Sequence, residues 1–413
     1  MKNYRILFLL IILCLTSITY GGTMKKSIGL SNKAHTLSEE QIRFCAQNFD
    51  EILIGQWPED IAKAEEFKII NPNVKLLGYV SFRTLIPDSA RFLECDGDET
   101  LFAHDPQGER ITTISFENYL MDIYNPDWAA KLIQWANEFP SWFDGIFLDV
   151  AQPTLLENDY VVLPDGYDAD AYAIQSASVM DALCAAYPGM VVYNGLKSGL
   201  NQEGYSDNTD GGLMEGFIFS RSSQAVDVQK FYNYCNALLK AGRGNLIASA
   251  CVKTYKGNIQ NRMFAVACYL LGANNLSRYN VVDIDTEHSD PLQYYPEYKI
   301  WFKNPIDMPE TIDDLLKPNN LVVRRFKEGV VIVNPWDYDI DIPLVDGKYR
   351  KLTLSGGGVV SESGKCKNSL RSKRVGGITT IPAESAMILI RYYLNKLPGT
   401  RPITRFADVE VTK

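Results

Sequence analysis

Residues 142–153 read WFDGIFLDVAQP, an apolar run that stops on a carboxylate, Asp149, shortly before a proline. In a strand, successive side chains point to opposite faces. Gly145, Phe147 and Asp149 therefore form one set and Ile146, Leu148 and Val150 the other. The all-aliphatic set suits a layer of helices, which turns Asp149 the other way. In GLMEGF the same parity groups Leu213, Glu215 and Phe217, with Glu215 near the strand end. Two carboxylates at one rim are what glycoside hydrolysis needs. One protonates the leaving oxygen, and the other attacks the anomeric carbon or activates water. Burial and mutual repulsion separate their pKa values, so both roles coexist at one pH. The structural alternative is that Asp149 caps a loop and Glu215 pairs with a basic side chain. Either carboxylate alone fits that reading as well as the chemical one; the pair on a shared rim favours chemistry.

The elements that must position this pair recur along the chain. From Ser27 to about Asn280, SIGLS, EILIGQW, VKLLGYVSF, GIFLDV, MVVYNGL, GLMEGF, NLIASACVK and NNLSRYN alternate with helical stretches. Ser38 and Gln41 form a capping box for a helix to about Asn48. Asn125-Pro126 supplies a cap and a first-turn proline for the next. Further helices are expected over 168–187, 225–240 and 259–271. Strands alternating with helices over about 250 residues predict a (β/α)8 TIM barrel, an α/β fold. The doubly wound rival wants GxGxxG after its first strand, and the sequence has none there. Barrel enzymes place their chemistry at the C-terminal ends of the strands, so Asp149 and Glu215, on strands four and six, are the expected catalytic residues. Past Pro318 short β-rich runs such as LVVRRF, GVVIVNP and SAMILIRYY are broken by turn residues, predicting a small all-β domain. The resulting domains are a signal peptide over 1–22, a barrel over 23–312, a β domain over 318–397 and a tail over 398–413. The short junction and the apolar runs beyond it predict that the β domain packs on the barrel.

Other residues at or just past the expected strand ends are candidate substrate contacts: Trp57, Arg83, Tyr193, Asn194, Lys253, Tyr255, Arg278 and Tyr279. Aromatic faces there could stack on sugar rings or simply plug the barrel top. Other chemistries have little support. The three histidines, His35, His104 and His288, are not at ligand spacing, and neither a GxSxG elbow nor a Walker loop is present. No metal and no cofactor are expected.

The N-terminus carries Lys2 and Arg5, an apolar run from Ile6 to about Leu15, then small and polar residues. This is the pattern of a secretory signal peptide, cleaved near Gly22, and the run is short for a membrane span of about 20 residues. A lipid anchor on Cys14 ranks second, because Leu13 is bulky where such sites prefer a small residue. A secreted, periplasmic or cell-surface protein is expected. The formal charge of −9, with no long basic stripe in the sequence, argues against nucleic acid and polyanionic glycans and for a neutral or cationic oligo- or polysaccharide. The eight cysteines form no CxxC pair and read as buried hydrophobes, with one disulfide at most. Cys251 and Cys268 are expected to be buried and unreactive.

LSEEQIRFCAQNFDEILIGQW, NPNVKLLGYVSF, FAHDPQGERI, IYNPDW, FDGIFLDV and VVYNGL follow one another in an order that resembles the fifteenth hypothetical glycosyl-hydrolase-like family. That family is similar to endo-α-1,4-polygalactosaminidases. The resemblance covers roughly Lys25 to Asn304, and VVRRFKEGVVIVNP resembles the C-terminal sheet of such proteins. It implies a TIM barrel acting on α-linked glycans, with the aspartate of FDGIFLDV, Asp149, catalytic and Glu215 as the acidic residue of strand six. The leading expectation is thus an exported retaining or inverting glycosidase with Asp149 and Glu215 as its working pair. By analogy with other barrel glycosidases retention is favoured, with Asp149 as nucleophile and Glu215 as acid/base. The alternatives are a catalytically silent carbohydrate-binding barrel and a scaffold protein.

Overall fold

The computed structural model describes residues 24–30, 33–196, 208–286, 289 and 292–391. The expected signal peptide, Cys14, His288 and the tail lie outside them. Eight parallel strands close into a barrel: β1 (Lys25–Leu30), β2 (Glu51–Ile54), β3 (Lys75–Ser81), β4 (Gly145–Asp149), β5 (Met190–Asn194), β6 (Gly211–Glu215), β7 (Ile247–Thr254) and β8 (Arg278–Asp283). Each pairs with its sequence neighbours, and β1 closes on β8 through Lys25↔Arg278 and Lys26↔Tyr279. This is the (β/α)8 architecture.

The longer helices among the described residues are α1 (Glu39–Asn48), α2 (Pro58–Ile70), α3 (Pro126–Glu138), α4 (Ala169–Ala186), α5 (Val228–Arg243) and α6 (Ile259–Gly272). The Ser38–Gln41 capping box forms, and Asn125 caps α3 by accepting from the Asp127 amide. Helix α2 is missing from the sequence-based set; its first turn holds Pro58, Glu59 and Asp60. Charges on much of α2 hide its narrow buried stripe of Asp60, Ala64 and Phe67.

The lumen has two unlike walls. Leu77, Phe147, Val192 and Ile247 pack into a small apolar cluster of their own. Opposite them Ser27, Gly29, Glu51, Ser249, Cys251 and Asn280 line open space. Small and polar side chains cannot fill a barrel of this size, so a cavity remains.

After β8 the chain builds a five-stranded sheet in the order β9 (Val322–Arg325), β10 (Gly329–Asn334), β13 (Ser385–Arg391), β11 (Ile340–Gly356), β12 (Asn368–Ile381). It packs on the barrel through α6. Arg324 donates to the carbonyls of Leu270, Leu271 and Ala273 at the end of α6. Within α6, Arg262 donates to the Gly356 carbonyl at the end of β11. All seven described cysteines are free thiols.

Candidate active site

Asp149 ends β4 because its backbone still belongs to the barrel ladder while its side chain does not. It pairs with Ser81, and its carbonyl accepts from the Phe82 amide at 2.9 Å. Phe147 and Asp149 both line the lumen, as the parity of GIFLDV predicts. The next residue, Val150, sits at φ +53°. A β-branched residue in the left-handed region is a true outlier. The turn aims the Val150 amide back at Asp149 Oδ1, 2.9 Å away.

Three donors hold the Asp149 carboxylate. Oδ1 accepts from Val150 N and from Asn194 Nδ2 at 2.8 Å, and Oδ2 accepts from the Tyr79 hydroxyl at 2.9 Å. Glu215 ends β6, and Gly216 at φ +69° turns the chain away directly after it. Its Oε2 accepts from the same Asn194 amide nitrogen at 3.0 Å, and Oε1 meets Lys253 Nζ at 2.6 Å. Two oxygens bonded to one nitrogen are no further apart than the two bonds laid end to end.

Burial raises the Asp149 pKa above its ordinary value, and the nearby Glu215 charge raises it further. The donations from Asn194, Val150 and Tyr79 pull it part of the way back. The Tyr79 hydroxyl is pushed well above its usual value by burial and then by the Asp149 charge, so it remains a proton donor to that carboxylate.

The pair borders a cavity of about 440 Å³, which Tyr79, Asn194, Lys253, Cys251, Asn280, Lys33 and Gln293 also line. Thus β3, β4, β5, β6 and β7 deliver Tyr79, Asp149, Asn194, Glu215 and Lys253 to one place. Sequence reasoning missed Tyr79, which reads as a core aromatic within VKLLGYVSF. It also missed Asn280, which shares a face with Val282 on β8.

Several expected contacts lie elsewhere. Arg83 is fully buried and donates to the carbonyls of Gln152 and Thr154 and to the Gln152 side chain, so it fixes the loop after β4. Tyr193 has the parity opposite to Val192 and Asn194 and packs in the main core. Trp57 and Tyr255 are 39% and 45% exposed and border no part of the cavity. Arg278 and Tyr279 begin β8 instead of ending it, at the opposite end of the barrel. The reason is a turn: Asn274 Oδ1 accepts from the amides of Leu276 and Ser277 and delays the strand. Arg278 is then engaged by Glu51, its Nε 3.4 Å from Oε2, and Tyr279 stacks obliquely on Tyr269. No group of His, Cys, Asp or Glu among the described residues is arranged to hold a metal ion. No helix among them is long and apolar enough to cross a membrane.

The sequence profile of hypothetical glycosyl hydrolase family 15 matches residues 68–330, more than half of the chain. The chain belongs to this family. The match begins within α2 and spans β3 to β8, so it includes both carboxylates of the cavity. No curated protein sequence matches. Among solved structures, the glycoside hydrolase domain of a PelA variant from Pseudomonas aeruginosa is similar over 64% of this chain and 97% of that one, at 14% identity and a TM-score of 0.43. The maltogenic α-amylase AmyB from Thermotoga neapolitana is similar over 91% of this chain and 97% of its own, at 11% identity and a TM-score of 0.44. Likenesses this distant transfer no residue roles to the family 15 chain.

Proposed function

We propose that this family member is an exported glycosidase that cleaves an α-linked glycan with retention, using Asp149 as nucleophile and Glu215 as acid/base. The observation that carries this reading is the shared Asn194 donor. It holds the nearest carboxylate oxygens within the two bond lengths of 2.8 and 3.0 Å. Retaining sites separate their carboxyls by about 5–5.5 Å and inverting sites by about 6.5–9.5 Å. The bound falls short of the inverting range, where a water must fit between base and substrate.

Two carboxylates so close share a proton at working pH. Burial and Glu215 raise the Asp149 pKa. The reactive form on this reading is the one with Asp149 ionised, its charge met by three donors, and the proton on Glu215. In the first step an Asp149 oxygen bonds to the anomeric carbon while the glycosidic bond breaks. The leaving oxygen takes the proton of Glu215. In the second step Glu215 removes a proton from water, the water oxygen bonds to the anomeric carbon, and the ester to Asp149 breaks. Both carboxyl groups are restored. Glu215, with a side chain 43% exposed, is placed to reach solvent. Tyr79 and Asn194 hold Asp149 in line. Lys253, expected as a substrate contact, engages Glu215.

Convergent carboxylates in one cavity favour catalysis over a silent binding barrel. The test is a screen of the purified protein against α-linked oligosaccharides, with the anomer of the first product read by proton NMR. Release of the α-anomer, lost in Asp149→Asn and Glu215→Gln, is the expected result. A first-formed β-anomer refutes retention, and cleavage that survives both substitutions refutes the assignment.

A further inference from the structure

The long hairpin of β11 and β12 carries a concentration of positive charge unlike the rest of this acidic chain. Residues 349–356 and 368–375 contain Arg350, Lys351, Arg371, Lys373 and Arg374 and not one aspartate or glutamate. The register stacks like on like twice, Arg350 opposite Arg374 and Lys351 opposite Lys373, and sets Arg371 opposite the uncharged Thr353. Like charges directly across a strand pair destabilise it.

Protection of an exposed edge is the usual reason for lysines on a strand. It covers Lys373 and Arg371 on β12, the edge strand of the sheet. It does not cover Lys351 on β11, which lies between β12 and β13 and pairs with Leu389 of the latter. The charges also have a direction. Leu352 and Leu354 of β11 join the core shared with the barrel. By alternation Lys351 and Thr353, with their partners Lys373 and Arg371, face away from it. Among the described residues, no carboxylate forms an ion pair with Lys351, Lys373 or Arg371.

We propose that this outer face of the hairpin binds an anionic polysaccharide bearing carboxylates along its length. The cations form an open row, with Lys373 and Arg371 about 7 Å apart along the strand at 3.4 Å per residue. A row suits an extended polymer better than a single small anion. Thr353, Ser355 and Ser369 on the same face add hydroxyls that can bond to sugar oxygens. No large hydrophobic side chain of these two segments is exposed, as insertion into a lipid surface would need. Tyr349 is buried and unavailable to stack on nucleic-acid bases. That the polymer is a glycan rests on the glycosidase reading; that it is anionic rests on the hairpin alone. The row does not show in the sequence because its two halves are joined only by strand register.

The test is native gel electrophoresis of the full chain through polygalacturonate, with dextran as the neutral control. Mobilities are compared with polymer-free gels. Retardation by polygalacturonate that disappears at high salt, with none by dextran, is expected. Lys351→Glu together with Lys373→Glu should weaken it at least tenfold. Lys351→Glu alone places opposite charges across the strands, so it should weaken binding while raising Tm. That single variant keeps the test decisive if the double variant folds poorly. Equal retardation of wild type and variants, no retardation, or stronger binding to phosphatidylglycerol vesicles or duplex DNA would overturn the proposal. Asp149→Asn should bind polygalacturonate like the wild type. Binding without any glycan cleavage would sink the catalytic reading and leave this one standing.

Discussion

Asp149 and Glu215, carried by strands that are not neighbours, accept hydrogen bonds from one nitrogen, Nδ2 of Asn194 on the strand between them. The amide offers one hydrogen to each carboxyl group and fixes their separation. Removing it takes away the one contact common to both groups, and the pair spreads. On the catalytic reading, Asn194→Ala should lower kcat by about 10²-fold, the scale expected for a misplacement near 1 Å. KM should change little, because Asn194 acts on the carboxylates. A KM effect with kcat intact would make Asn194 a binding residue instead.

On the catalytic reading, Asp149 links activity to pH and stability in opposite senses. Its folded-state pKa is raised by burial and by Glu215. Its contribution to stability is therefore complete below the unfolded-state pKa and is lost as pH rises through the folded-state value. An uncharged isostere avoids that loss. Asp149→Asn should raise Tm at neutral pH, with the gain vanishing in acid, while activity is abolished. The acidic limb of the wild-type kcat/KM profile should lie above the ordinary carboxylate range. A Tm gain that persists unchanged in acid would show that the charge is not its source.

What could be read from the sequence follows from which contacts are local. The inward turn of Asp149 was legible because its strand mates Ile146, Leu148 and Val150 are all aliphatic. The Ser38–Gln41 capping box was legible because cap and partner lie three residues apart. Arg278 and Tyr279 were misplaced because an Asn274 turn delays β8, and such turns show only in side-chain geometry. Tyr79 looked like a core residue because nothing local marks the carboxylate at position 149 as its hydrogen-bond partner. Strand pairing, not spacing, brings Lys351 to Lys373.

Val150 stores strain beside Asp149. Its left-handed backbone costs about 1–3 kcal/mol in a β-branched residue. Asparagine tolerates this region and keeps the amide that bonds Asp149. Val150→Asn should therefore gain about 1 kcal/mol in chemical denaturation and retain activity. Val150→Pro, which lacks the N–H and cannot adopt a positive φ, should be inactive. A destabilised Val150→Asn would mean that the packing of the valine outweighs its strain.

The cysteines should react in order of access. Cys45, Cys235 and Cys268 are buried, and burial raises the thiols of Cys45 and Cys268. Cys184 and Cys366 are half-buried, with Cys184 pushed up to about 11. Iodoacetamide on the native protein, followed by mass spectrometry, should label Cys184 and Cys366 first. Cys251 is buried but lines the cavity, so a small reagent should reach it before Cys268. Early labelling of Cys268 would place α6 wrongly.

A buried ion pair on the barrel side supports the junction with the sheet. Arg262 on α6 and Glu297 are both fully buried, with Arg262 Nε 2.7 Å from Oε1 and Nη2 2.6 Å from Oε2. The remaining guanidinium nitrogen bonds the carbonyls of Lys256 and Gly356, the second at the end of β11. Breaking a buried pair from one side strands a charge, at a cost of about 3–5 kcal/mol. Removing both sides strands none. Arg262→Met should lower the urea midpoint sharply and speed proteolytic release of the sheet. Arg262→Met combined with Glu297→Leu should recover much of the midpoint but less of the protease resistance, because the bond to Gly356 stays lost. If the double variant is no more stable than Arg262→Met, the lost carbonyl bonds outweigh the stranded charge, and Arg262 supports the junction through those bonds and not through its ion pair.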